Sequence, residues 1–104
     1  MSELEVKKII KNYVKKLRAE NYPISAAYLF GSYAKGKANK WSDIDTAIIS
    51  PKFKNRFGKS YMRLWDFREE IDNRIEPHGF TATDFKNLAD PLVYEIRKTG
   101  IKVV

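Results

Sequence analysis

Apolar residues recur at three- and four-residue spacing near the start of the chain, which is the period of a helix with one buried face. This stripe consists of Val6, Ile9, Ile10, Tyr13, Val14 and Leu17. Ser2 precedes it, with Glu5 three residues later, which is the pattern of a capping box at a helix start. The spacing therefore predicts an amphipathic helix from Glu3 to Ala19, whose lysines lie on the solvated face.

Two short apolar runs follow, and both are typical of buried strands. The first runs from Ser25 to Phe30 and stops at Gly31, and the second runs from Ile44 to Ser50 and stops at Pro51. Between them the pattern predicts one helical turn over residues 33–37, closed at Gly36, and a polar loop over residues 38–42.

The second half of the chain predicts a helix and a further strand. Lys52 to Gly58 is typical of a basic loop, and Lys59 to Asn73 has a helical pattern. Arg74 to Phe80 predicts a third strand, which Pro77 interrupts or confines to an edge because proline cannot donate to a ladder.

The C-terminal segment carries clear helix signals. Thr81 can cap a short helix, and Asp90 followed by Pro91 marks the start of another. That helix is predicted to end at Thr99, with Gly100 in the position after its end. Residues 101–104 predict a last short strand.

This order of elements predicts an α/β fold, a small mixed sheet of about four strands with helices packed on it. The 104 residues fit a single domain spanning residues 1–104. A chain of this length leaves little for a second substrate-binding lobe.

Composition restricts the metal chemistry that the chain can support. It has no cysteine and one histidine, so neither a thiolate site nor a site built from histidines is available. Any metal must therefore be held by carboxylates, which favours Mg²⁺ or Mn²⁺.

The net charge of +7 favours anionic partners, although it also fits a merely soluble basic surface. Nucleic acid is possible but not favoured, because the basic stretches lack the interleaved aromatic residues of a single-strand groove. No signal peptide and no apolar run long enough for a membrane span is visible, so the expected location is the cytoplasm.

Asp43 and Asp45 flank one residue at the start of the second predicted strand. Side chains alternate along a strand, so the two carboxylates are expected on the same face. Two adjacent carboxylates repel each other unless a counter-charge is present, and a divalent cation supplies one. The alternative is a pair of acids at a turn, with Ser42 and Asp43 acting as caps.

Gly31 and Ser32 lie where the first strand passes into a helical turn. Glycine allows the backbone to approach a phosphate closely, and the serine hydroxyl and the N–H groups of the turn can donate to phosphate oxygens. Lys35 adds a positive charge nearby. Taken alone, Gly-Ser is a weak signal, because it occurs in many turns.

The joint pattern is more specific. Gly31-Ser32, followed by ten residues and then Asp43-Ile44-Asp45, resembles the signature of the DNA polymerase β-like nucleotidyltransferase superfamily. The surrounding Phe-Gly-Ser-Tyr-Ala-Lys-Gly and Trp-Ser-Asp-Ile-Asp are similar to its minimal nucleotidyltransferases. The resemblance implies a polymerase β palm-like core and a nucleotide site at Gly31, Ser32, Lys35 and Ser42.

The resemblance also implies a third carboxylate on a later strand, for which Glu76 is the candidate. Catalytic and metal-binding roles are then expected for Asp43, Asp45 and Glu76, although the superfamily more often has aspartate at the third position. His78 should share the face of Glu76 and could contact a triphosphate, orient Glu76 or be incidental. Trp41 could stack on a base, but a buttress for the loop is favoured.

Members of the superfamily transfer a nucleoside monophosphate from a triphosphate to an acceptor and release pyrophosphate. Minimal members pair with HEPN (higher eukaryotes and prokaryotes nucleotide-binding) toxins in type VII-like systems, where they attach AMP to the toxin. The resemblance therefore implies ATP as donor and a HEPN protein as partner. The alternatives are a non-catalytic antitoxin or nucleotide-binding module, and a standalone enzyme acting on a small molecule or an RNA end.

Overall fold

The computed structural model describes residues 1–56 and 58–104. The helices are α1 (Glu3–Ala19), α2 (Lys59–Arg68) and α3 (Pro91–Thr99), and the strands are β1 (Ala26–Phe30), β2 (Ile44–Ile49), β3 (Ile75–Phe80) and β4 (Ile101–Lys102). Short 3-10 turns occupy Pro51–Phe53 and Asp84–Lys86. Phe57, which belongs to the predicted basic loop, lies outside the described residues.

The four strands form one mixed sheet in the order β3-β2-β1-β4. Strand β1 pairs antiparallel with β2 and with β4, while β2 and β3 are parallel. The predicted fold of a small mixed sheet covered by helices is confirmed. Strand β3 is an edge strand, as Pro77 indicated.

Helix α1 has the predicted bounds because its start signal is local. Ser2 Oγ accepts a hydrogen bond from the backbone N–H of Glu5 at 3.2 Å, and Glu5 Oε1 accepts one from the N–H of Ser2 at 3.3 Å. Tyr13 is fully buried, and its hydroxyl donates to the Leu64 carbonyl at 2.7 Å. This hydrogen bond ties α1 to α2 beneath the sheet.

The sheet has a different cover on each face. One face packs against α1 and α2 through Ala27, Leu29, Ile44, Ile48 and Ile75. The other packs against α3 and the second 3-10 turn through Phe30, Ala47, Ile49, Phe80, Phe85, Val93 and Ile96. Alternation along β2 and β3 puts Asp45 and Glu76 on this second face, where they are only half-buried.

The predicted length of α2 is wrong, because the helix ends at Arg68 and not at Asn73. The Arg68 guanidinium donates to the carbonyls of Asn73 and Ile75, which holds residues 69–73 in a tight turn leading into β3. An apolar pattern cannot reveal such a side-chain hydrogen bond, since it depends on where the next strand lies.

Smaller differences occur at the other ends. Strands β1, β2 and β3 are each one residue shorter than predicted, β4 ends at Lys102, and the basic loop begins with a 3-10 turn that buries Phe53. Thr81 Oγ1 accepts from the N–H of Asp84 at 3.1 Å, so it closes one 3-10 turn and not an α-helix.

Gly100 has a different role from the one predicted. Its φ is −72°, so it does not use the left-handed conformation that favours glycine after a helix. A Cβ at this position would lie 2.3 Å from the Ile96 carbonyl oxygen, so glycine is needed for close approach to α3. Gly36 does have a positive φ of 69°, in agreement with a turn closed at that residue.

Among the described residues, no helix combines the length and the apolar character that a membrane span requires.

Candidate active site and cation centre

Three neighbouring strands bring Phe30, Asp45 and Glu76 into one row across the sheet. Asp45 pairs with Phe30 in the antiparallel β1–β2 ladder and with Glu76 in the parallel β2–β3 ladder. Directly paired residues point to the same face, so the two carboxyl groups lie side by side. Glu76, the candidate third carboxylate, therefore lies beside Asp45.

His78 follows Glu76 by two residues and therefore shares its face. Its Nε2 lies 3.8 Å from Glu76 Oε1, and its ring packs edge-on against the ring of Phe30 with centroids 5.4 Å apart. One ligand atom each of Asp45, Glu76 and His78 lies within 4.8 Å of the other two. Two carboxylates and an imidazole at such distances are a donor set suited to a divalent cation.

The electrostatics of this cluster favour a bound cation. Burial raises the pKa of Asp45 to about 7, and the hydrogen bond with Glu76 and the charge of Glu76 contribute next. The charges of Asp43 and Glu95 raise the pKa of Asp45 further. Near neutral pH the Asp45 carboxyl therefore retains part of its proton, which a divalent cation would displace.

The electrostatics of His78 differ. Burial lowers the pKa of His78, Arg56 also lowers it, and the charge of Glu76 opposes the shift. At neutral pH the imidazole is therefore mainly neutral, which is the form that can bind a metal.

Gly31 lies directly against the Asp45 carboxyl. Its φ is +73°, and a Cβ at this position would lie 2.1 Å from Asp45 Oδ2. The sequence suggested that glycine serves the approach of a phosphate, whereas the structure shows that Asp45 itself needs the space. The following turn is closed by hydrogen bonds from the N–H of Lys35 to the Gly31 carbonyl (3.1 Å) and from the N–H of Lys37 to the Ser32 carbonyl (2.9 Å).

Asp43 lies one residue before β2 and is exposed. Its carboxylate is outside the cluster of Asp45, Glu76 and His78, although it is close enough for its charge to raise the pKa of Asp45. The Ser42 hydroxyl accepts from the N–H of Asn39 at 3.0 Å and so closes the loop before Asp43.

Trp41 contradicts its predicted role as a buttress of this loop. Its side chain is 80% exposed, so it supports nothing beneath it. Its backbone N–H donates to Asn39 Oδ1 at 2.8 Å, and the ammonium of Lys40 lies 5.0 Å from the ring centroid. The loop is therefore held by hydrogen bonds of Asn39, and the indole faces solvent.

Lys35 forms an ion pair with Glu95 on α3, at 2.5 Å between Nζ and Oε1. Glu95 was not found from the sequence, because its approach to the site depends on how α3 packs. It is a further carboxylate whose charge reaches Asp45. The pair also links the turn that carries Gly31 and Ser32 to α3.

The mixed sheet thus carries a cluster of carboxylates beside a glycine turn. The family model described as "Nucleotidyltransferase domain" matches residues 7–103, so the chain belongs to this family. It is a nucleotidyltransferase.

Similar proteins agree with this family. The chain is 35% identical over 69 residues to "Putative protein adenylyltransferase MJ1215" of Methanocaldococcus jannaschii. The aligned segment covers 66% of this chain and 77% of the relative.

Solved structures share the fold. A structure described as a "putative nucleotidyltransferase from Sulfolobus solfataricus" superposes with a TM-score of 0.66 at 23% identity, over 96% of this chain and 80% of that chain. A chain of a toxin-antitoxin complex with AMP-PNP superposes with a TM-score of 0.64 at 22% identity, over 89% of this chain and 71% of that chain.

Proposed function

We propose that this nucleotidyltransferase transfers AMP from ATP to a hydroxyl group of a partner protein, a HEPN-type toxin, and acts as its antitoxin. The observation that carries the proposal is the pairing of Asp45 with Glu76 directly beside Gly31. The adenylyltransferase name of the M. jannaschii relative and the AMP-PNP complex of the toxin-antitoxin neighbour support AMP as the transferred group and a toxin as the acceptor.

The residues present fit a divalent cation, Mg²⁺ or Mn²⁺. Asp45 and Glu76 are close enough to share one ion, and Asp43, whose charge reaches Asp45, would be the third carboxylate. A cation held by these three carboxylates would neutralise the triphosphate charge and make the α-phosphorus more open to attack.

The turn after β1 is suited to the triphosphate. Ser32 can donate its hydroxyl to a phosphate oxygen, and Gly31 keeps the backbone close to Asp45 without a side chain. Lys35 can neutralise a phosphate once it separates from Glu95. The Ser42 hydroxyl accepts a backbone hydrogen bond that holds the loop before Asp43, and its own O–H can still donate to a phosphate oxygen.

In the proposed reaction, the acceptor hydroxyl gives its proton to Glu76 and its oxygen bonds to the α-phosphorus of ATP. The bond from that phosphorus to the bridging oxygen breaks, and pyrophosphate leaves with its electron pair. Glu76 is half-buried and reachable from solvent, as a base for a protein hydroxyl must be. Positioning and charge stabilisation supply most of the rate gain in such transfers.

The proposal is tested with ATP labelled at the α-phosphate, incubated with this protein and the proposed HEPN-type partner. Label should appear on the partner with the parent protein and with Asp66→Asn, which makes the same chemical change at an exposed position of α2. Asp45→Asn should transfer no label.

If Asp45→Asn neutralises the toxin without labelling it, the protein is a binding-only antitoxin. If label enters RNA or a small molecule and not the partner, the proposal of a protein acceptor is wrong.

A further inference from the structure

We propose that His78 is a metal ligand, and that with Asp45 and Glu76 it makes this centre prefer Mn²⁺ over Mg²⁺. The inference rests on the proposed function only in assuming that a divalent cation binds here. It adds a nitrogen ligand to a centre that the sequence alone assigns to carboxylates.

The distances between the donor atoms fit one shared ion. Ligand atoms bonded to one ion at about 2.1–2.2 Å lie at most about 4.4 Å apart. Three equally spaced ligands of one ion lie at most about 3.8 Å apart. The three side chains place a ligand atom each within 4.8 Å of one another, so closing by about 1 Å or less brings them around one ion. The distance of 3.8 Å from His78 Nε2 to Glu76 Oε1 is too long for a hydrogen bond but ordinary for two ligands of the same ion.

Packing orients the imidazole toward this position. The ring of Phe30 contacts the His78 ring at 5.4 Å and an interplanar angle of 61°, and Phe30 itself is only 4% exposed. The side chain of His78 remains 27% exposed, so an ion can reach it from solvent. A ring that is held by packing loses little freedom when it binds a metal, which strengthens binding.

The chemistry of the donors sets the preference. Oxygen ligands alone suit Mg²⁺ and Mn²⁺ alike, whereas an imidazole suits first-row transition metals better than Mg²⁺. A centre of two carboxylates and one imidazole should therefore stay occupied by Mn²⁺ at a free-ion concentration at which Mg²⁺ has dissociated.

The direct test is pulsed electron paramagnetic resonance of the untagged protein loaded with Mn²⁺ and no nucleotide. The chain has one histidine, so a nitrogen coupling from a coordinated imidazole has a single source. The parent protein should show this coupling. His78→Phe keeps a ring against Phe30 but has no nitrogen, so the coupling should disappear.

Titrations give the second readout. His78→Phe should bind Mn²⁺ at least about tenfold more weakly and change Mg²⁺ affinity less than about twofold. Glu76→Gln is the comparison variant, because it should weaken both ions. Bound Mn²⁺ without nitrogen coupling in the parent protein, or equal losses of both ions in His78→Phe, would overturn the inference.

The result is separable from the proposed function. Nitrogen coupling without any labelled partner would leave His78 as a ligand and remove the proposed acceptor. A labelled partner without nitrogen coupling would support the proposed acceptor and remove His78 as a ligand. If His78→Phe does not fold, the spectrum of the parent protein decides alone.

Discussion

At the scale of single residues, Gly31 makes the carboxylate cluster possible. Both its positive φ and the 2.1 Å that would separate a Cβ from Asp45 Oδ2 exclude a side chain. Gly36 in the same turn has a similar φ of +69°, but a Cβ there would meet nothing within 4 Å. Substituting each glycine in turn therefore distinguishes the effect of backbone strain from the effect of displacing the Asp45 carboxyl.

We expect Gly36→Ala to cost about 1–2 kcal/mol because it forces a left-handed residue, and Gly31→Ala to cost more because its Cβ also displaces the Asp45 carboxyl. Only Gly31→Ala should weaken Mn²⁺ binding, by at least about tenfold, since its Cβ pushes the Asp45 carboxyl away. Thermal unfolding and metal titration of both variants check this. Equal metal affinities in the two variants would show that Asp45 does not hold the cation.

The raised pKa of Asp45 gives a prediction for pH. Its folded value of about 7 lies above the ordinary 3.8, so the folded protein retains a proton that the unfolded chain releases. The stabilising contribution of this carboxyl is thus complete below about pH 4 and lost as pH rises through about 7. Cation affinity should change in the opposite sense and rise with pH, because the ion competes with the proton.

Denaturant unfolding at pH 5 and pH 8 without metal measures this effect. Because the site is open to solvent, we expect the parent protein to lose about 1–2 kcal/mol more stability than Asp45→Asn over this range. Parallel pH dependence in the two proteins would contradict the assignment of the shifted pKa to Asp45.

At the scale of elements, a helix end was predictable where a local capping signal sets it. A helix end that depends on tertiary contacts was not. Helices α1 and α3 have their predicted bounds because Ser2 and Asp90 cap them through hydrogen bonds within three residues. Helix α2 is shorter because Arg68 bonds to carbonyls beyond it.

The same distinction holds at the site. The family resemblance made Glu76 the candidate for a third carboxylate, and it pairs with Asp45, while the Lys35–Glu95 pair spans 60 residues and has no local signal.

The ion pair between Lys35 and Glu95 predicts an effect on nucleotide binding. Glu95→Gln should free Lys35 for phosphate and remove a negative charge near Asp45, so ATP should bind about two- to fivefold more tightly. Lys35→Met should bind ATP more weakly. Glu70→Gln breaks an exposed pair with Lys16 and serves as control.

Titration of a fluorescent ATP analogue measures these affinities. Weaker binding in Glu95→Gln would mean that the pair positions the turn and does not compete with phosphate.

The contact between α1 and α2 gives a prediction about stability alone. Tyr13→Phe removes the buried hydroxyl that donates to the Leu64 carbonyl, so about 1–2 kcal/mol should be lost. Tyr94→Phe, at a side chain 50% exposed on α3, should change little. Chemical denaturation distinguishes them, and an unchanged midpoint for Tyr13→Phe would show that this hydrogen bond does not stabilise the helix pair.

At the scale of the whole molecule, a chain with net charge +7 presents a locally negative site. One face of the sheet is covered by α1 and α2, and the other is covered only in part, so that Asp45, Glu76 and His78 are reachable. In the proposed function, this arrangement is the nucleotide and cation site, and the partner provides the acceptor.

The central claim is that this site attaches AMP to the partner protein. The most direct measurement is the intact mass of the proposed HEPN-type partner after co-expression with the parent protein or with Asp45→Asn. The account predicts that the partner gains the mass of one or more AMP groups with the parent protein and none with the variant. A partner of unmodified mass in both cases, while the parent protein still neutralises it, would contradict the claim.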